Sequence, residues 1–179
     1  MEAPTGIYAG FDEVEISGKS KVTSIGSVGM MFVGGQSGAT KLHVTGESEY
    51  NLQMKGYAHA LRVNLSKNPS SILVDQNSKL HLSQATTGAS AIVLGNGATL
   101  TMDNGTLITE GNFSKGIYSF GSNSTTTIKN GSHVDVSSIV RNPKNEGQNL
   151  IVTGGTLTYD YSADNTLLSL IHISEPTRL

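Results

Sequence analysis

The chain has 179 residues, 21 of them Gly, with no Cys, no Trp, 15% charged residues and a formal net charge of −2. That is the length of one ordinary domain. A near-neutral balance without a basic stripe gives no electrostatic footing for nucleic acid, and the absence of Cys excludes a disulfide scaffold and a thiolate metal site. The longest apolar stretch, near Leu167 to Ile173, is far shorter than the ~20 residues of a bilayer crossing, so no membrane insertion is expected of this segment. Met1 to Gly6 has neither a basic start nor an apolar core and does not read as a signal peptide.

From Gly6-Ile7-Tyr8-Ala9 onward the chain already looks like strand. A short phrase then recurs, made of an apolar residue, a Gly/Asn/Ser-rich corner and a second apolar residue. Its copies are Ile16-Ser-Gly-Lys-Ser-Lys-Val22, Val44-Thr-Gly-Glu-Ser-Glu-Tyr50, Val74-Asp-Gln-Asn-Ser-Lys-Leu80, Met102-Asp-Asn-Gly-Thr-Leu107, Ile128-Lys-Asn-Gly-Ser-His-Val134 and Val152-Thr-Gly-Gly-Thr-Leu157. The fourth and last are one residue shorter. Successive copies start 28, 30, 28, 26 and 24 residues apart, a period that signals a solenoid. Helix formers are not clustered anywhere, so a helical solenoid is disfavoured.

Each repeat holds three strand-like segments. The one before the corner alternates with period two: Val14-Glu-Ile16, Leu42-His-Val44, Ile72-Leu-Val74, Leu100-Thr-Met102, Thr126-Thr-Ile128 and Leu150-Ile-Val152. Its middle residue, from Glu15 and His43 to Thr127 and Ile151, is expected to face outward. The segment after the corner alternates too, as in Leu80-His-Leu82 and Val134-Asp-Val136. The third begins with a small residue before an aliphatic one: Gly29-Met30, Ala60-Leu61, Ala91-Ile92, Gly116-Ile117 and Ser138-Ile139. Two residues past the reference aliphatic stand Gly18, Gly46, Gln76, Asn104, Asn130 and Gly154, where a left-handed backbone would bend each coil alike.

A single coil cannot bury enough apolar surface to offset the ordering of its backbone, whereas stacked coils cover one another. We therefore expect an all-β, single-stranded parallel β-helix of about six coils, a fragment without clear caps, roughly 29 Å long. Ile16, Val44, Val74, Met102, Ile128 and Val152 should form one interior column. The competing arrangement is an array of antiparallel hairpins, which Asn-Gly corners also favour.

Gly97-Ala-Thr-Leu-Thr-Met-Asp-Asn-Gly-Thr-Leu107, followed by Lys115-Gly-Ile-Tyr-Ser-Phe120, resembles the right-handed parallel β-helices of bacterial surface proteins. These include autotransporter passenger domains and the pectate-lyase-like adhesive domains of cell-wall proteins. The similarity spans roughly Gly6 to Asp160. It implies an extracellular adhesin, or, for some members, an enzyme acting on polysaccharides. Ser169-Leu-Ile-His-Ile-Ser-Glu-Pro-Thr-Arg-Leu179 looks instead like the conceptual translation of a sequencing adapter, the alternative being a genuine connecting loop. The expected division is therefore a β-helix fragment over 1–165 and a non-native or irregular tail over 166–179.

Polysaccharide hydrolases need carboxylates converging on one outer face. Asp75 and Asp103 hold the same repeat position and should stack, with Thr45 and Lys129 above and below. The resemblance's hydrolase signatures (Asp-Asp, Gly-His-Gly, Arg-Ile-Lys) are missing, so the pair reads as corner-stabilising or exposed. Arg62 and Arg141 lie near no acidic cluster in sequence, and Arg141-Asn-Pro-Lys144 reads as a turn. His43 belongs to a different segment from His81 and His133, so the three should not share a metal. No catalytic, cofactor or metal residues are assigned and no cofactor is expected. Outward Thr101, Thr125, Thr127 and Ser137 suit weak multivalent contact with a surface glycan or protein. The resulting expectation is a non-enzymatic adhesin or adhesin stalk, extracellular or on the cell surface, with Leu65 to Ser71 and Arg141 to Gln148 as contact loops. A polysaccharide lyase or hydrolase is the alternative, and a structural spacer the third reading.

Overall fold

A computed structural model of the chain describes residues 8–9, 13–27, 29–32, 40–63, 70–160 and 171–173. The strands among them are β1 (Tyr8–Ala9), β2 (Glu13–Ile16), β3 (Lys21–Gly26), β4 (Met30–Phe32), β5 (Lys41–Val44), β6 (Glu49–Met54), β7 (Leu61–Val63), β8 (Ser71–Asp75), β9 (Lys79–Leu94), β10 (Thr99–Asp103), β11 (Thr106–Ser119), β12 (Thr125–Lys129), β13 (Ser132–Val136), β14 (Ile139–Arg141), β15 (Asn149–Val152), β16 (Gly155–Tyr159) and β17 (Ile171–Ile173). Every strand pairing is parallel. This excludes the hairpin array. The chain is a parallel β-solenoid of about five turns.

The pre-corner segments form one seven-stranded sheet, ordered β17-β15-β12-β10-β8-β5-β2. In it Ile16 registers on Val44, Val44 on Val74, Val74 on Met102, Met102 on Ile128 and Ile128 on Val152. The expected column is thus continuous, and all of it but the half-buried Val152 lies in the buried core. A second inward column runs Val14, Leu42, Ile72, Leu100, Thr126, Leu150. Thr126 breaks its aliphatic run, and its buried hydroxyl oxygen has no partner.

The other two segments share a ten-stranded sheet because β9 and β11 run on through the bend between them. The sequence reading expected a break there in every coil. β9 has no positive-φ residue at this bend, whereas β11 turns at Gly111 (φ +85°), where the register between the pair slips in a bulge between Gly111 and Phe113. The third-segment aliphatics Met30, Leu61, Ile92, Ile117 and Ile139 stack in register as expected. The small residue before each is a spatial requirement. A Cβ on Gly29 would collide with the Ala60 carbonyl oxygen, and one on Gly116 would lie 2.6 Å from the Ser138 carbonyl oxygen.

The corners follow the same rule. Gly18, Gly46, Gln76, Asn104 and Asn130 all have φ between +50° and +67°. Gly154, in the shortened last copy, does not adopt positive φ, although Asn104 in the equally short fourth copy does. A feature not anticipated is a serine ladder. The Ser20 amide donates to Ser48 Oγ, the Ser48 amide to Ser78 Oγ and the Gly105 amide to Ser132 Oγ, at 3.1, 3.1 and 3.2 Å. Each hydroxyl satisfies a backbone donor of the preceding coil, and the Ser48 and Gly105 amides lie in buried corners that would otherwise strand them.

The boundary expected at residue 165 and the loop residues 65–69 lie outside the described residues. Ile171–Ile173 adds to the edge of β15 in register.

Candidate functional site

The strongest sequence candidate for chemistry was the stacked carboxylate pair, and Asp75 does register on Asp103, which registers on Lys129. Both carboxylates border an open surface depression with Gln76, Asn104 and Asn130. The left-handed residues at positions 76, 104 and 130 put their amide side chains there coil after coil.

Their partners decide what the pair can do. Asp75 Oδ2 sits 3.0 Å from His43 Nε2 in the coil below. Asp103 Oδ1 accepts from Asn130 Nδ2 at 2.6 Å, and its Oδ2 lies 3.0 Å from Lys129 Nζ. The Asn130 hydrogen bond, followed by that from Lys129, holds the Asp103 carboxyl below the usual carboxylate range. An acid held ionised cannot lend a proton to a leaving group. The Asp75 Oδ1 atom is buried and unpartnered, but the other oxygen is engaged.

Ion pairs also join neighbouring coils at the corner and on both sheets. Lys41 reaches Glu13 at 3.1 Å, Lys19 reaches Glu47 at 3.0 Å and Lys21 reaches Glu49 at 3.2 Å. Among the described residues, Glu13, Glu15 and His43 present ligand atoms within 4.8 Å of one another, a three-donor cluster of the kind a divalent metal uses. Lys41 Nζ also lies 3.4 Å from His43 Nδ1, so an ammonium of the chain itself supplies the positive charge beside these donors.

His81 and His133 lie on the ten-stranded sheet, away from His43. His81 shares a row with Ile108 and Asp135, and His133 with Thr106 and Lys79. The three histidines therefore do not converge. His81 Nε2 approaches Glu110 Oε2 to 3.1 Å, off the direction of a hydrogen bond. Thr101, Thr125 and Thr127 are half-exposed as expected, but the Ser137 hydroxyl oxygen is buried without a partner rather than offered to solvent. The turn expected over Arg141–Lys144 begins after Arg141, which ends β14, and is closed by the Lys144 amide on Asn142 Oδ1 and the Asn145 amide on the Asn142 carbonyl. The loop that follows is tied down, with Gln148 Nε2 donating to the carbonyls of Ser119 and Gly121.

Stacked parallel coils around one apolar interior define the class: a parallel β-solenoid repeat protein. Compared with protein-family models, curated proteins and solved structures, the chain matches none.

Proposed function

We propose that this chain is a segment of an extracellular bacterial surface protein, an adhesin or the stalk of one, that holds contact surfaces out on a β-solenoid rod. The observation that carries the reading is the coil-to-coil neutralisation of the outward charges. Asp75, Asp103, Glu13, Glu47 and Glu49 are each bonded to a cation or histidine of an adjacent coil, which makes them struts between coils. A rod built so is suited to projection and to contact with a surface glycan or protein through its sides.

The stacking of Asp75 on Asp103 favours the second reading, a polysaccharide lyase or hydrolase. Against it stand the ionised state of Asp103 and the pairing of Asp75 with His43. Two measurements test the choice. Beads coated with the chain should adhere to glycan-coated or cell surfaces above the level of uncoated beads. Incubation with acidic polysaccharides should release no reducing ends or unsaturated products, and release would favour the enzyme.

A further inference from the structure

A second surface has the opposite electrostatic character. Where the chain bends into its third segment, a hollow of about 320 Å³ opens beside β7. Met30, Ala58 and Ala89 supply apolar lining, while Tyr57, His59 and Arg62 supply polar groups. Among the described residues lining the hollow none is acidic. Tyr57 is 76% exposed, and the Arg62 Nε atom is buried with no hydrogen-bond partner.

The protonation of the histidine follows from its backbone neighbour. The Ser90 amide donates to His59 Nδ1 at 3.1 Å, so that nitrogen carries no proton and neutral His59 holds its proton on Nε2. The hollow therefore offers hydrogen-bond donors from the Arg62 guanidinium, the His59 Nε2–H and the Tyr57 hydroxyl. Burial, then the charge of Arg62 and more weakly that of Lys115, push the His59 imidazole below its ordinary value. The local field is thus positive and lacks a counter-charge among the lining residues.

We propose that this hollow binds the terminal acidic sugar of a glycan, its carboxylate held by Arg62 and His59 and its ring face laid on Tyr57. The guanidinium of Arg62, which lines the hollow with no acid among the described lining residues, is matched by a carboxylate, which is planar and accepts hydrogen bonds at both oxygens. An exposed tyrosine ring gives an apolar face with a polar tip, suited to a sugar that is apolar on one face and hydroxylated at its edge. The volume is at the small end of the roughly 300–1,000 Å³ typical of small-molecule sites. A peptide strand fits less well, because β7 is already paired on both sides, to β4 and β9, and has no free edge to extend. The inference deepens the adhesive reading and rests on it for its biological meaning.

The test is titration of the purified chain with 3′-sialyllactose, the same sugar with its carboxyl converted to a carboxamide, lactose and tetraglutamate. The acidic sugar should bind about tenfold or more tightly than its carboxamide or lactose. Arg62→Gln should lose about tenfold of that affinity, and Tyr57→Ala about fivefold. A bound carboxylate should also move the His59 titration to higher pH, as followed by NMR, which a merely structural role would leave in place. Tyr57 is exposed, so its variant reports even if Arg62→Gln folds poorly. Equal binding of acid and carboxamide, equal binding of tetraglutamate, no binding, or binding indifferent to both substitutions would each overturn the proposal. If coated beads adhere and Arg62→Gln and Tyr57→Ala beads adhere equally well, the hollow is wrong and the adhesive reading survives. If no beads adhere, that reading fails while the solution titration still decides the hollow.

Discussion

The Asp75–Asp103 corner and the hollow beside Arg62 carry similar chemistry on two sides of one rod: each has a histidine, a long cation and polar neighbours. They differ in whether the charges are answered. At the corner His43 bonds one oxygen of Asp75, and Lys129 and Asn130 bond Asp103, each across coils. At the hollow the Arg62 Nε atom has no partner, and the cations near His59 raise the cost of charging it. Groups that stack coils meet an opposite charge within the chain, whereas Arg62 and the exposed Tyr57 face a hollow whose described lining supplies no acid and are better placed to meet one from outside. The titratable residues most conspicuous in the sequence therefore belong to the scaffold.

The largest effect should come from removing what supports both regions. Val74 is fully buried in the interior column, and Val74→Asp should abolish cooperative folding, a loss above about 4 kcal/mol, seen as disappearance of the thermal transition and of the β-sheet circular dichroism signal. Next comes the serine ladder on the corner side. Ser78→Ala removes the acceptor of the buried Ser48 amide and should cost about 1–3 kcal/mol in urea unfolding.

Two smaller changes sharpen the contrast itself. Asp103 has its carboxyl held below the ordinary range in the folded state, so its contribution is present above the unfolded value and is lost as pH falls through the folded one. Asp103→Asn should flatten the acid limb of stability below about pH 4 and lower stability at neutral pH by less than about 1 kcal/mol, as expected for a partly exposed pair. Arg62→Gln should behave oppositely, leaving stability unchanged or raised within about 0.5 kcal/mol, because no bond to Nε is lost. His59 is also depressed, so its contribution fades as pH falls below about 6.5. Removing the Arg62 charge should shrink that fade, measurable as a smaller difference in melting temperature between mildly acidic and neutral buffer.

How much of this was legible depended on whether a feature repeats. Ile16, Val44 and Val74 could be aligned because apolar alternation and fixed spacing recur coil after coil, and Gly18, Gly46 and Asn104 because few residues accept a left-handed backbone. The serine ladder repeats too, at Ser20, Ser48, Ser78 and Ser132. Ser is so common in this chain that its position within the phrase carried no contrast, although its absence from both shortened copies, where Gly105 and Gly155 stand, was the available signal. The hollow does not repeat at all. Tyr57, His59 and Arg62 occupy one coil, Ser90 the next and Lys115 the one after. No periodicity points to a site that occurs once.

The in-register stacking described above also sets a rule for changing the length of the rod. Excising the 28 residues from Val74 to Thr101 would place Met102 directly after Leu73, so that it meets Val44 where Val74 had been. The inward rows would close over the gap. A deletion out of step by one residue would instead turn a strand's apolar set toward water. The reach of such a protein can therefore be adjusted by whole turns, in steps of about 4.8 Å, with every intermediate length forbidden by the alternation of its side chains.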